Sequence, residues 1–170
     1  MESLRIGVLI CSLIIATYTD LAYQKIYNWL TIPVLGMGIG LCAGEVILND
    51  DYHLAYPVLI CVGMVLLIFL VPYLLKWLGA GDLKFLLALA CLQGAPFGPV
   101  FFLKAIYHIT LFGALLAILT LIWRGKFLSG LKSSFKVLVN PKKSNSENAI
   151  TIPYGLAISM GMFYTFIVVN

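Results

Sequence analysis

Residues 54–75 read LAYPVLICVGMVLLIFLVPYLL, a run without one charged side chain. As a helix rising about 1.5 Å per residue, it covers the roughly 30 Å of a bilayer's hydrocarbon core. Five further apolar segments flank it, at residues 6–19, 29–48, 83–92 with some extension, 105–123 and 150–169. The chain as a whole is 62% hydrophobic and only 11% charged, with a mean hydropathy of +1.02, which excludes an ordinary water-soluble domain of this length. The expected fold class is therefore all-α: a polytopic membrane protein of six transmembrane helices, forming a single membrane-embedded domain over residues 1–170.

Charge sets the expected orientation. The first, third and fifth connections hold Lys25, Lys76, Lys84, Arg124, Lys126, Lys132, Lys136, Lys142 and Lys143, whereas the opposite side holds only Arg5 and Lys104. Lys and Arg concentrate in cytoplasmic loops, so nine against two places both termini outside, along with Glu45, Asp50 and Asp51. Residues 124–149 form a basic cytoplasmic loop suited to anionic lipid headgroups. It lacks the interleaved aromatics of a nucleic-acid platform, so membrane lipids and not nucleic acid are its expected partners. The start of the chain, with Arg5 ahead of an apolar run, resembles a secretory signal, but Ala16-Thr17-Tyr18 makes a poor cleavage site and the run reads as the first span.

Small residues and cysteines within the spans read as packing. Gly36, Gly40 and Gly44 recur every four residues, a stripe that lets helices approach closely inside the bundle; a homo-oligomer interface is its alternative. Cys11, Cys42, Cys61 and Cys91 form no CxxC pair and read as small packing groups.

Two carboxylates stand out. Asp20 follows the first span and Asp82 precedes the fourth, so the six-span topology brings both to the cytoplasmic side. Arg5 to Asp20 and Asp82 to Pro96 each measure only about 21–22 Å of helix, which sets both carboxylates slightly inside the inner leaflet. Such a charge costs about 2.5 to 3.5 kcal/mol at the centre of a spanning helix and less near the interface, and usually faces the bundle interior or a water-filled cavity. Alone, Asp82 reads as a helix cap and Asp20 as an interfacial loop residue. Together, with Gly79 and Gly81 allowing a second helix close to Asp82, they read as a pair. Two close, partly desolvated carboxylates share a proton, the arrangement by which one activates water while the other donates to a carbonyl oxygen.

Leu78-Gly79-Ala80-Gly81-Asp82-Leu83-Lys84 resembles the GxGD signature of type IV prepilin peptidases. Asp20 with Ile26-Tyr27-Asn28-Trp29-Leu30-Thr31 resembles that family's first-aspartate segment, and Ile152-Pro153-Tyr154-Gly155 its motif at the start of the last span. The resemblance covers nearly the whole chain. It implies catalytic Asp20 and Asp82, supported by Gly79, Gly81 and Lys84, with Asn28, Pro153, Tyr154 and Gly155 as neighbours. It also implies an endopeptidase of the cell membrane that removes a short basic leader from prepilin or preflagellin-like substrates at the cytoplasmic face. Larger members carry an N-methyltransferase region with a tetracysteine zinc site. This chain has no CxxC pairs for one, and so resembles the compact peptidases of Tad/Flp pilus systems or archaeal preflagellin peptidases. Tyr27 stands where the family often has proline.

No cofactor and no metal are expected, because His53 has no partner cluster and His108 lies about 20 Å from the aspartates, where packing is its expected role. Two other readings compete. A presenilin-like intramembrane protease shares the GxGD aspartate but has more spans, and a tyrosine directly before its first aspartate where Thr19 stands here. A small proton-coupled transporter also uses paired carboxylates, but its inverted repeats and midplane helix breaks are not evident.

Overall fold

The computed structural model describes residues 2–75, 78–123 and 154–169, and every regular element among them is helical. In chain order these are α1 (Glu2–Tyr23), α2 (Asn28–Asn49), a 3-10 turn (Tyr52–Ala55), α3 (Tyr56–Leu74), α4 (Ala80–Trp123) and α5 (Tyr154–Val169). The basic loop at 124–149, Lys76 and Pro153 lie outside the described residues.

Four stretches are long and apolar enough to cross a membrane: Ser3–Tyr23, Asn28–Asn49, Tyr52–Leu74 and Phe97–Thr120. α5 is apolar but shorter. The segments expected at 83–92 and 105–123 are the two arms of α4, which is interrupted at Gly98, where φ is 73° and ψ is 172°. Only glycine enters that region readily, and Pro96 and Pro99 on either side withdraw N–H donors from the helical ladder. The first arm of α4 is wrapped by protein. Phe85, Leu86, Ala88, Leu89, Ala90 and Leu92 are all fully buried, as in a helix apolar on every side. α4 packs against α2, α3 and α5 and also touches α1, so it is the hub of the bundle. Large apolar side chains such as Leu67 and Ile47 point outward from α3 and α2, as a lipid-facing surface requires.

The small-residue stripe reads differently in three dimensions. α2 turns Leu30, Thr31, Val34, Gly38 and Cys42 inward. A Cβ on Gly38 would fall 2.8 Å from the Leu92 nitrogen and 2.9 Å from the Cys91 carbonyl carbon. By contrast, nothing lies within 4 Å of the Cβ position of Gly36 or Gly40. The glycine that admits α4 is Gly38, because Gly36 and Gly40 belong to the opposite face of the helix. Among the cysteines, Cys42, Cys61 and Cys91 are buried, whereas Cys11 is exposed and packs no core.

Arg5 is wholly buried rather than standing as a free charge at an interface. Its Nη2 pairs with Glu45 Oε2 at 2.7 Å, and its Nη1 donates to the Leu92 carbonyl at 2.8 Å. The cause is legible in α4. The helical partner of the Leu92 carbonyl would be the nitrogen of residue 96, and residue 96 is a proline. The guanidinium supplies the missing donor while Glu45 neutralises it. Removing one member of a buried pair typically destabilises by about 3–5 kcal/mol, since the other charge is stranded. Arg5→Met should therefore lower the thermal unfolding midpoint of the detergent-solubilised protein sharply, and adding Glu45→Gln should recover part of the loss. An unchanged midpoint in Arg5→Met would refute the pairing.

Candidate active site

The site residues expected from the sequence collect at one end of the bundle, where α1 finishes and α2, α4 and α5 begin. α1 runs on to Tyr23, so Asp20 lies in its last turn and not beyond the helix. The helix closes after Asp20, whose carbonyl accepts from the Gln24 N–H at 2.8 Å, with Gln24 in a left-handed conformation at φ 53°. Arg5 and Asp20 thus occupy opposite ends of α1, about 22 Å apart along its axis.

Asp20 is buried, and its carboxylate does not face water alone. Oδ2 accepts from the Gly155 N–H at 2.6 Å and from the Leu156 N–H at 3.3 Å. Both belong to the first turn of α5, whose leading N–H groups have no partner within their own helix. Asp20 therefore caps α5 from another helix, and the positive end of the helix dipole favours its negative charge. Gly155 makes the approach possible, since a Cβ there would lie 2.9 Å from both Cβ and Oδ2 of Asp20.

Asp82 occupies the equivalent place on α4. Counting from Gly79 as the cap, it is the third helical residue, and its Oδ2 accepts from the Gly79 N–H at 3.2 Å, the returning half of a capping box. The Leu83 N–H bonds to the Gly79 carbonyl at 3.2 Å, closing the first turn. Gly81 lets this turn press on the α1–α2 connection, for a Cβ there would stand 2.5 Å from the Ile26 carbonyl oxygen. Lys84 reaches across to α2, where its Nζ donates to Asn28 Oδ1 at 3.1 Å. That contact ties the start of α4 to the start of α2.

The two carboxyl groups lie within electrostatic reach of each other, and Tyr154 lies within reach of Asp82. The Tyr154 ring also rests over Gly113 in the second arm of α4, with 3.3 Å between its hydroxyl and the Gly113 Cβ position. Asp20, Asn28, Gly79, Gly81, Asp82, Lys84, Tyr154 and Gly155 are thus brought together, and Pro153 lies outside the described residues. Sequence reasoning gave no role to Leu156, Ile26 or Gly113. The first two act through backbone atoms, which leave no side-chain signature, and Gly113 is one more small residue in an apolar span. His108 stands apart, its Nδ1 2.9 Å from Thr165 Oγ1 and its ring against Tyr164.

A family model of type IV leader peptidases matches residues 7–122, well over half of the chain and inclusive of both aspartates. The chain belongs to the type IV leader peptidase family. Comparison with curated proteins and with solved structures gave no match. Membership of this family makes the protein a peptidase, and its apolar helices make it a multi-pass membrane one. The α5 donors that Asp20 accepts from lie beyond the matched residues, so the family match does not bear on Gly155, and its contact with Asp20 comes from the geometry.

Gly155→Ala should push the Asp20 carboxylate off its donors. A displacement near 1 Å costs about a hundredfold in rate where reacting groups are involved. Peptidase activity should fall by about that factor in Gly155→Ala and stay unchanged in Gly36→Ala, whose new methyl meets nothing. Equal activities in the two variants would remove Asp20 positioning as the function of Gly155.

Proposed function

We propose that this peptidase is an aspartic endopeptidase that removes a short basic leader from prepilin-like precursors at the cytoplasmic face of the cell membrane. The observation that carries this reading is that Asp20 and Asp82 lie within electrostatic reach of each other at one end of the bundle, each tied to the N-terminus of a helix. Neither has a cationic partner among the described residues that would consume its charge in an ion pair. The reading rests also on the family, whose members act on leader-bearing substrates by resemblance.

Hydrolysis follows from two carboxyl groups in different protonation states. The ionised one takes a proton from water as it attacks the scissile carbonyl carbon, and the protonated one donates a hydrogen bond to the carbonyl oxygen, stabilising the tetrahedral intermediate. Collapse of the intermediate expels the amine, which takes up a proton, and leaves the leader with a new carboxylate. Fixed N–H donors on Asp20 and Asp82 hold both groups in place before substrate arrives, as preorganised catalysis requires. Lys84 and Asn28 position the Asp82 turn.

Sidedness is supported by charge. Lys25 and Lys84 stand at the site end, while Arg5 at the far end is neutralised by Glu45 and leaves Lys104 as the unpaired cation described there. A site at one end of the helices suits a cut beside a membrane-anchored segment, and does not suit a transporter, whose carboxylates belong near the midplane.

Asp20→Asn and Asp82→Asn should each abolish cleavage of a co-expressed prepilin while the protein still inserts, measured by the mobility shift of the processed product. Normal processing by either variant would sink the assignment. The rate should describe a bell against pH, lost in acid as the base is protonated and lost in alkali as the acid is ionised. A rate flat from pH 4 to pH 9 would contradict the shared-proton mechanism.

A further inference from the structure

α1 and α5 run antiparallel, since Asp20 meets Gly155 while Leu13, seven residues earlier, accepts from Ser159 Oγ at 3.1 Å through its carbonyl. Between them lies an open groove of about 540 Å³, walled by Ile10, Ile14, Tyr18 and Leu21 on one side and by Met160 and Phe163 on the other. Its floor is Leu13, Thr17, Leu156 and Ser159. The hydroxyls of that floor are already satisfied, Thr17 Oγ1 by the Leu13 carbonyl at 2.8 Å and Ser159 Oγ also by the Gly155 carbonyl at 2.9 Å. The groove therefore offers apolar contact and, on its floor, small side chains whose hydroxyls are already bonded, the kind of surface on which membrane helices associate.

One end of this groove is continuous with the candidate site. Leu156 lines the groove and, through its N–H, holds Asp20 Oδ2. On α1, Leu13, Thr17 and Asp20 fall within about 60° of one another, so the carboxylate continues the row of groove residues one turn further toward the helix end. Another cavity of similar size, lined by Leu103, Lys104, Tyr107, His108 and Val168 among others, involves none of the site residues.

We infer that the α1–α5 groove seats the apolar helix of the substrate, laid along Ile14 and Phe163 so that the residue preceding that helix arrives beside Asp20. This rests on the leader-peptidase reading above and gives that reading a docking surface. The groove is remote from the reacting atoms over most of its length, so its contacts bind substrate and transition state alike. Filling it should raise KM and leave kcat unchanged.

The test uses the full-length protein in membranes and a precursor made of a basic leader joined to an apolar helix of about 20 residues. Ile14→Trp should raise KM about tenfold at constant kcat, a loss of about 1.4 kcal/mol, while Leu67→Trp on the outer face of α3 leaves both constants alone. A photo-crosslinking residue at position 14 or 163 should form an adduct with the precursor's apolar helix, and one at position 67 should not. Cleavage by the unsubstituted protein with unchanged KM in Ile14→Trp, or with adducts to phospholipid alone at positions 14 and 163, overturns the groove and leaves the enzyme reading intact. Failure of the unsubstituted protein to cleave the precursor instead overturns the enzyme reading, and the occupant of the groove with it.

Discussion

A backbone N–H or C=O that sits in hydrocarbon must find its partner within the protein, because no water is there to supply one. That requirement links the two ends of α1. At one end, Pro96 leaves the Leu92 carbonyl without its helical donor and Arg5 provides it. At the other, α5 begins with unpaired N–H groups and Asp20 accepts two of them. Arg5 and Asp20 thus each complete the hydrogen bonding of a neighbouring helix. Glu45 keeps the first arrangement neutral, whereas Asp20 is left with Asp82 as its charged neighbour.

The glycines follow from the same requirement seen sterically. A side chain can hydrogen-bond to the backbone of another helix only if the two helices come close. Gly155 admits Asp20 to α5, Gly81 admits the α1–α2 connection to the first turn of α4, and Gly38 admits α2 to α4. In Gly79-Ala80-Gly81-Asp82 the two glycines do different things. Gly79 donates its N–H to Asp82, whereas Gly81 leaves space for the Ile26 carbonyl.

Much of this arrangement was legible in the sequence. Apolar runs located the helices to within a few residues for α2 and α3, and the pairing of Asp20 with Asp82 followed from topology and the glycines around Asp82. What could not be read were the features that depend on backbone atoms of distant elements. The Gly36, Gly40 and Gly44 spacing drew attention to the wrong face of α2, because a regular interval says which residues share a face but not which face meets α4. The buried residues Val34, Gly38 and Cys42 repeat with the same interval and lack only the uniformity that makes a motif conspicuous. Arg5 looked like an interfacial charge, since its partner Glu45 and the orphaned Leu92 carbonyl lie 40 and 87 residues away. Alone, Asp20 reads as a loop residue because a carboxylate tends to end an apolar helix, yet two N–H donors from α5 satisfy its side chain within the bundle while α1 continues to Tyr23.

The cap on Asp20 also bears on how the protein is made. Gly155 follows Asp20 by 135 residues, an interval of roughly 7–30 s at ordinary translation rates of about 5–20 residues per second. Throughout that interval α1 carries a carboxylate whose backbone donors have not yet been synthesised. The fixed geometry around Asp20 therefore comes into being only when α5 enters the membrane and docks. A nascent chain stalled before that point holds both aspartates but lacks the two α5 donors that fix the Asp20 carboxylate.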